Sequence, residues 1–167
     1  MRDLKRPNAK LPAYKLFASE NIEVFTPMKS QLSVKGGKRI KEEVPIIRDL
    51  LFVHGTQEII DPIVRKTPTL QYRYERGSYC SPMTIADVAM ERFICAVKSQ
   101  KQQIYYLPGE LTPNMIGRNV RIIGGMFNGY EGNLLKLRGS GKKRLIVELP
   151  GVLFVGVEIE PEYIEML

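Results

Sequence analysis

The chain has 167 residues, 44% hydrophobic and 26% charged, a globular composition that excludes a disordered polymer and allows one domain with an appendage or two small ones. No apolar run approaches the roughly 18 residues that cross a bilayer, and MRDLKRPNAK lacks the apolar centre of a secretion signal, so the expectation is a cytoplasmic protein with no membrane partner. The formal net charge of +7 favours an anionic partner such as nucleic acid; from Pro113 onward seven Lys or Arg face six Asp or Glu, so nearly all the excess lies in the first two thirds.

From the amino terminus, Pro12 to Ser19 reads as a helix, because proline is tolerated in a first turn. IEVFTPM (Ile22 to Met28) and VPIIRDLLFVHG (Val44 to Gly55) read as strands, the second with Leu50 and Phe52 on one face and Leu51 and Val53 on the other. Between them SQLSVKGGKRIKEE sets Lys35, Lys38, Arg39 and Lys41 around two glycines. It is either a solvated hairpin tip or a basic finger that touches nucleic acid. TQEIIDPIVRKT carries Pro62 awkwardly for a helix starting at Thr56, so a shorter helix beginning later is expected. TIADVAMERFICAVKSQ reads as a helix with Thr84 as N-cap and Ile85, Val88, Ala89, Phe93, Ala96 and Val97 at helical spacing. Cys80 and Cys95 fit neither a disulfide framework nor a metal knuckle and read as packing residues.

LPGELTPN (Leu107 to Asn114) has two prolines, a glycine and no hydrophobic periodicity, which marks an exposed connection. The expected division is therefore 1–107, a linker at 108–114, and 115–167. After it come short strands: NVRII, NLLKL, RLIVEL and VLFVGVEIE, separated by glycine punctuation. Four or five strands in so short a stretch bury little as an open sheet, so a small closed barrel is expected. The predicted fold class is α+β: an antiparallel sheet with flanking helices, then a small all-β barrel. GGMFNGYEG, 124–132, joins two of the strands. Gly125, Gly129 and Gly132 supply positive φ or room for close approach, and Phe127 and Tyr130 give the loop something to pack with.

GRNVRIIGGMFNGYEGNLLKL resembles the KOW motif in Val120, Ile122, Gly125, Phe127, Gly129, Glu131 and Gly132. Upstream, KRPNAKLPAYKLF, NIEVFTPMK, the basic hairpin, VPIIRDLLFVHG and the last helix resemble the amino-terminal domain of the NusG family of transcription factors. The resemblance covers nearly the whole chain and implies a NusG amino-terminal-like domain followed by an SH3-like KOW barrel. The Trp-Tyr first strand of housekeeping members is missing, and Arg48-Asp49-Leu50 stands where they have Pro-Gly-Tyr. In composition the chain is most similar to the antiterminators beside capsular polysaccharide loci of gut Bacteroidetes.

The resemblance implies an elongation and antitermination factor without catalysis or cofactor. Its apolar face, Leu50, Phe52, Tyr74 and Met90, would dock on the clamp of RNA polymerase, although Phe52 and Met90 equally suit a core. Lys5, Arg6, Arg65 and Lys66 would lie near the non-template DNA or nascent RNA. The barrel would recruit a ribosomal protein or termination factor. The residues also admit an RNA-binding module in ribosome assembly or translation, since Tyr72, Tyr74 and Tyr79 interleave with Arg73 and Arg76. Enzymatic signals are weak. His54 has no second ligand at metal spacing, and RGSGKKR lacks the first glycine and the Ser or Thr of a phosphate loop. Glu158, Glu160 and Glu162 are expected on one solvated strand face.

Overall fold

The computed structural model describes residues 1–4, 11–75, 77–99, 103–137, 139 and 141–167. It is α+β, with three α-helices among the described residues and antiparallel sheets. Contacts divide it into two compact units, Met1–Thr84 and Ile85–Leu167.

In the first unit, β1 (Arg2–Asp3) is followed by α1 (Ala13–Ser19), and the Asp3 carboxylate accepts the Ala13 N–H at 2.7 Å, satisfying one of the helix's orphan donors. The expected strand Ile22 to Met28 is interrupted. β2 (Glu23–Phe25) ends where Thr26 turns its hydroxyl to the Leu50 carbonyl at 2.9 Å and Pro27, lacking an N–H, cannot continue a ladder. β3 (Met28–Lys35) and β4 (Lys38–Pro45) then form a hairpin, a two-stranded sheet of its own. The expected strand from Val44 to Gly55 is split likewise, because β4 stops at Pro45 and, apart from a single bridge at Leu50, ladder pairing resumes at β5 (Phe52–His54), antiparallel to β2.

Helix α2 (Gln57–Lys66) starts directly after Thr56, earlier than Pro62 suggested. Tertiary packing overrides the proline. Ile60 is buried with Ala13, Phe17, Leu51 and Leu70, and Ile63 and Val64 pack against that cluster, while Pro62 faces solvent on the far side. β6 (Leu70–Gln71) pairs with β1, and the unit runs on to Thr84.

The second unit contains α3 (Asp87–Ser99), which begins three residues after Thr84: the Ala86 carbonyl accepts the Met90 N–H at 3.0 Å, and Asp87 sits in the first turn, where a negative charge is favoured. β7 (Ile104–Tyr106), β8 (Ile116–Ile122), β9 (Glu131–Leu135), β10 (Arg144–Leu149), β11 (Leu153–Glu158) and β12 (Ile164–Met166) make one antiparallel sheet in the order β12-β8-β9-β10-β11-β7. Leu145, Val147 and Leu149 of β10 stand opposite Val157, Val155 and Leu153 of β11, all buried. α3 packs on the same two strands, and Ile146, on the other face of β10, is buried too. Covering both faces explains why RLIVEL is a nearly continuous apolar run rather than an alternating one.

The expected boundary at 108–114 does not coincide with this division of contacts. β7 pairs with β11 and α3 packs on β10 and β11, so both belong to the β-rich unit; Leu107 to Thr112 is a loop inside it, folded by the Glu110 N–H bonding the Leu107 carbonyl at 3.0 Å. β11 ends at Glu158, so Glu160 and Glu162 fall in the turn that follows it rather than on the expected strand face.

Candidate interaction surfaces

The GGMFNGYEG segment forms the β8–β9 connection. Gly125 opens a single 3-10 turn ending at Phe127, with φ of +63° at Gly125 and +76° at Gly129, where L side chains are strained. The Gly129 N–H reaches the Ile122 carbonyl at 2.7 Å, and the Asn128 side chain accepts from the Gly124 N–H at 2.7 Å. Phe127 is buried and meets Tyr130 edge-on, centroids 6.5 Å apart. Gly132 has ordinary φ but no spare room: a Cβ there would lie 2.8 Å from the Tyr130 ring. Glu131 opens β9 and accepts two hydrogen bonds from Arg121 of β8, at 2.7 and 2.9 Å, while Arg121 also reaches Glu165 of β12 at 3.4 Å. The sequence marked Glu131 but not this three-strand ladder, because only register aligns its members.

Beside the turn, α3 contributes Glu91, Arg92 and Cys95 to a shallow hollow of about 230 Å³ completed by Met126, Phe127, Asn128 and Tyr130. Arg92 lies 5.4 Å above the Tyr130 ring. Burial pushes the Tyr130 phenol up, against smaller opposing pulls from the Glu148 backbone and Arg92. No spacing in the sequence connects Arg92 with Tyr130; only the packing of α3 on the sheet does. Cys95 is half-buried as expected of a packing residue, whereas Cys80 is exposed.

The four residues of the expected docking face stand differently. Leu50 is buried, retaining 3% of its surface, and bridges to Arg2. Leu51 and Val53 turn to the α1–α2 core, so the alternation read from sequence holds, yet Leu50 is covered as well. Phe52 is half-buried and pairs with Phe25, ring centroids 6.4 Å apart. Tyr74 is 52% exposed, bridged to Pro82, with its ring 6.5 Å from that of Tyr72. Met90 is half-buried on α3, in the other unit.

Of the expected cationic contacts, Lys5 and Arg6 lie outside the described residues. Arg65 and Lys66 are exposed at the carboxy-terminal end of α2, where positive charge also complements the helix dipole; Asp61 lies 3.9 Å from Arg65. Tyr72 is not free to stack on a base. Its hydroxyl donates to Asp61 at 2.7 Å, and burial first, then that bond, push the phenol up. Tyr79, by contrast, is 97% exposed, and Arg76 lies outside the described residues.

Within the β3–β4 hairpin, Gly36 and Gly37 have φ of +57° and +77° and make a two-residue turn between Lys35 and Lys38. Leu32 and Val34 point from one face, opposite Lys41 and Arg39, and are 72% and 70% exposed. On the other face Glu42 holds Lys35 and Ser33. His54 on β5 faces Glu23 across the ladder at 3.1 Å.

Among the described residues no cluster of three or more His, Cys, Asp or Glu is placed to hold a metal ion, and no helix is long and apolar enough to cross a membrane. No known protein-family pattern matches the chain, and no curated protein is similar to it at a significant level.

Proposed function

We propose that the chain is a transcription elongation and antitermination factor of the NusG type, a specialised one related to the antiterminators of capsular polysaccharide loci. In this reading it acts in the cytoplasm, holds RNA polymerase at the clamp, meets non-template DNA or nascent RNA at its basic rim, and recruits a ribosomal protein or a termination factor through the β-rich unit. It performs no catalysis and carries no cofactor.

One observation carries the reading. Within the stretch that resembles the KOW motif, residues 124–132 make a tight turn with left-handed glycines and a buried Phe127, joining β8 to β9 in a small antiparallel sheet, in a chain whose other unit is α+β and bears a basic hairpin. Tyr74 supports the docking role best, being aromatic and exposed; Phe52 is half-buried beside Phe25. Leu50 is a poor anchor in this arrangement, and a glutamate there would test folding rather than docking.

The exposed Tyr74 and Tyr79 favour one second reading, an RNA-binding module in ribosome assembly or translation. Transcription across a terminator by purified polymerase, with and without the purified chain, separates the two. Increased read-through is expected from an antiterminator. Unchanged read-through, together with tight binding to homopolymeric RNA at moderate salt, would overturn the first reading for the second.

A further inference from the structure

The β3–β4 hairpin is larger than its own stability justifies. Eight residues per strand at about 3.3 Å each extend it roughly 26 Å, yet it is a separate two-stranded sheet, and such ribbons are marginal in water. Between Met28 and Pro45 five Lys or Arg stand against two Glu. The carboxylates are kept away from the outer half of one face: Glu42 is tied on the opposite face by Lys35 and Ser33, and Glu43 is bonded to Ser30 nearer the root. That outer half presents the cross-strand pairs Val34 with Arg39 and Leu32 with Lys41, while Lys38 stands at the tip on the opposite face, paired with Lys35. Among the described residues Lys38, Arg39 and Lys41 have no ion-pair partner.

We propose that this ribbon is a binding element for B-form DNA duplex, laid in the major groove with Leu32, Val34, Arg39 and Lys41 toward the base edges. A two-stranded ribbon fits that groove, about 12 Å wide, whereas the deep, narrow major groove of A-form RNA excludes it. The hairpin has no aromatic residue, so it lacks the stacking platform that single strands require. The aliphatic pair suits thymine methyl groups, and the flanking cations suit phosphates and guanine edges. This site is separate from the rim cations Arg65 and Lys66, and it needs no polymerase, so it stands or falls independently of the function proposed above.

The test uses the purified full chain and a fluorescent mixed-sequence DNA duplex of about 20 base pairs, compared with its single strand and the matching RNA duplex across a salt series. The DNA duplex should bind at least tenfold more tightly than either comparator. Replacing Lys38, Arg39 and Lys41 by Gln should weaken duplex binding at least tenfold and reduce the log-log salt slope by roughly 0.9 for each of these cations that meets a phosphate. All three side chains are solvent-exposed, so an unchanged circular dichroism spectrum is expected. Preference for RNA duplex or single strand, loss of binding only with Arg65→Gln and Lys66→Gln, or a ribbon variant that keeps DNA binding but loses polymerase would each overturn the assignment.

Discussion

Two neighbouring glycines separate conformational strain from crowding. At Gly129 the space around a Cβ is open within 4 Å, but φ is +76°; at Gly132 φ is ordinary, but a Cβ would meet the Tyr130 ring at 2.8 Å. Gly129→Ala should therefore cost about 1–2 kcal/mol through backbone strain. Gly132→Ala should cost about 1–3 kcal/mol by displacing Tyr130, and Tyr130→Ala should relieve part of that cost, as urea unfolding of both single variants and the double variant would reveal. A second residue-scale effect concerns the Met1 amine, which donates to the Leu51 carbonyl at 2.7 Å; burial, and secondarily Arg73, lower its pKa from 8.0 to about 6. In protein prepared with Met1 as its first residue, the unfolded amine binds its proton more tightly, so stability should rise between pH 6 and pH 8, by about 2–3 kcal/mol, and fall as pH drops through that window. Acetylating the amine should abolish that rise in a pH series of urea midpoints.

Among the elements, α2 shows how far packing can outvote local chemistry. Pro62 lacks the N–H that would reach the Glu58 carbonyl, yet the helix runs through it because Ile60, Ile63 and Val64 are needed by the core. Pro62→Ala should restore that hydrogen bond and raise stability by about 1–3 kcal/mol, less a few tenths for the more flexible unfolded chain, measurable as a raised urea midpoint. The same competition decides what could be read beforehand. β10 was legible residue for residue, since RLIVEL is an apolar run bounded by turn chemistry. Short edge strands such as β7 and β12 have too few residues to show a period, and their pairing depends on partners far along the chain. Pro27 and Pro45 sit at the strand breaks, a local signal lying inside runs whose hydrophobic pattern reads as continuous strand. Alternation correctly divided Leu50 and Phe52 from Leu51 and Val53, yet it cannot say what covers a face, and Leu50 is covered. The glycine turn was the most legible part of the site because its requirements are local.

For the whole molecule, the division after Thr84 has a direct consequence. α3 and β7 contribute to the β-rich unit, so a fragment comprising 85–167 should unfold cooperatively, whereas 115–167 should lose stability by exposing the edge of β11 and the α3-covered face of β10. Comparable stability of the two fragments in thermal melts would count against that assignment. The residues proposed for docking fall in both units, Tyr74 in the first and Met90 in the second. Equilibrium binding of the full chain to purified bacterial RNA polymerase tests the central proposal most directly, with Tyr74→Glu as the comparison because Tyr74 is already half in water. Wild-type binding weakened about thirtyfold or more by that one change, roughly 2 kcal/mol, is the expected result. Equal affinity of the two proteins, or no measurable binding by the wild type, would contradict it.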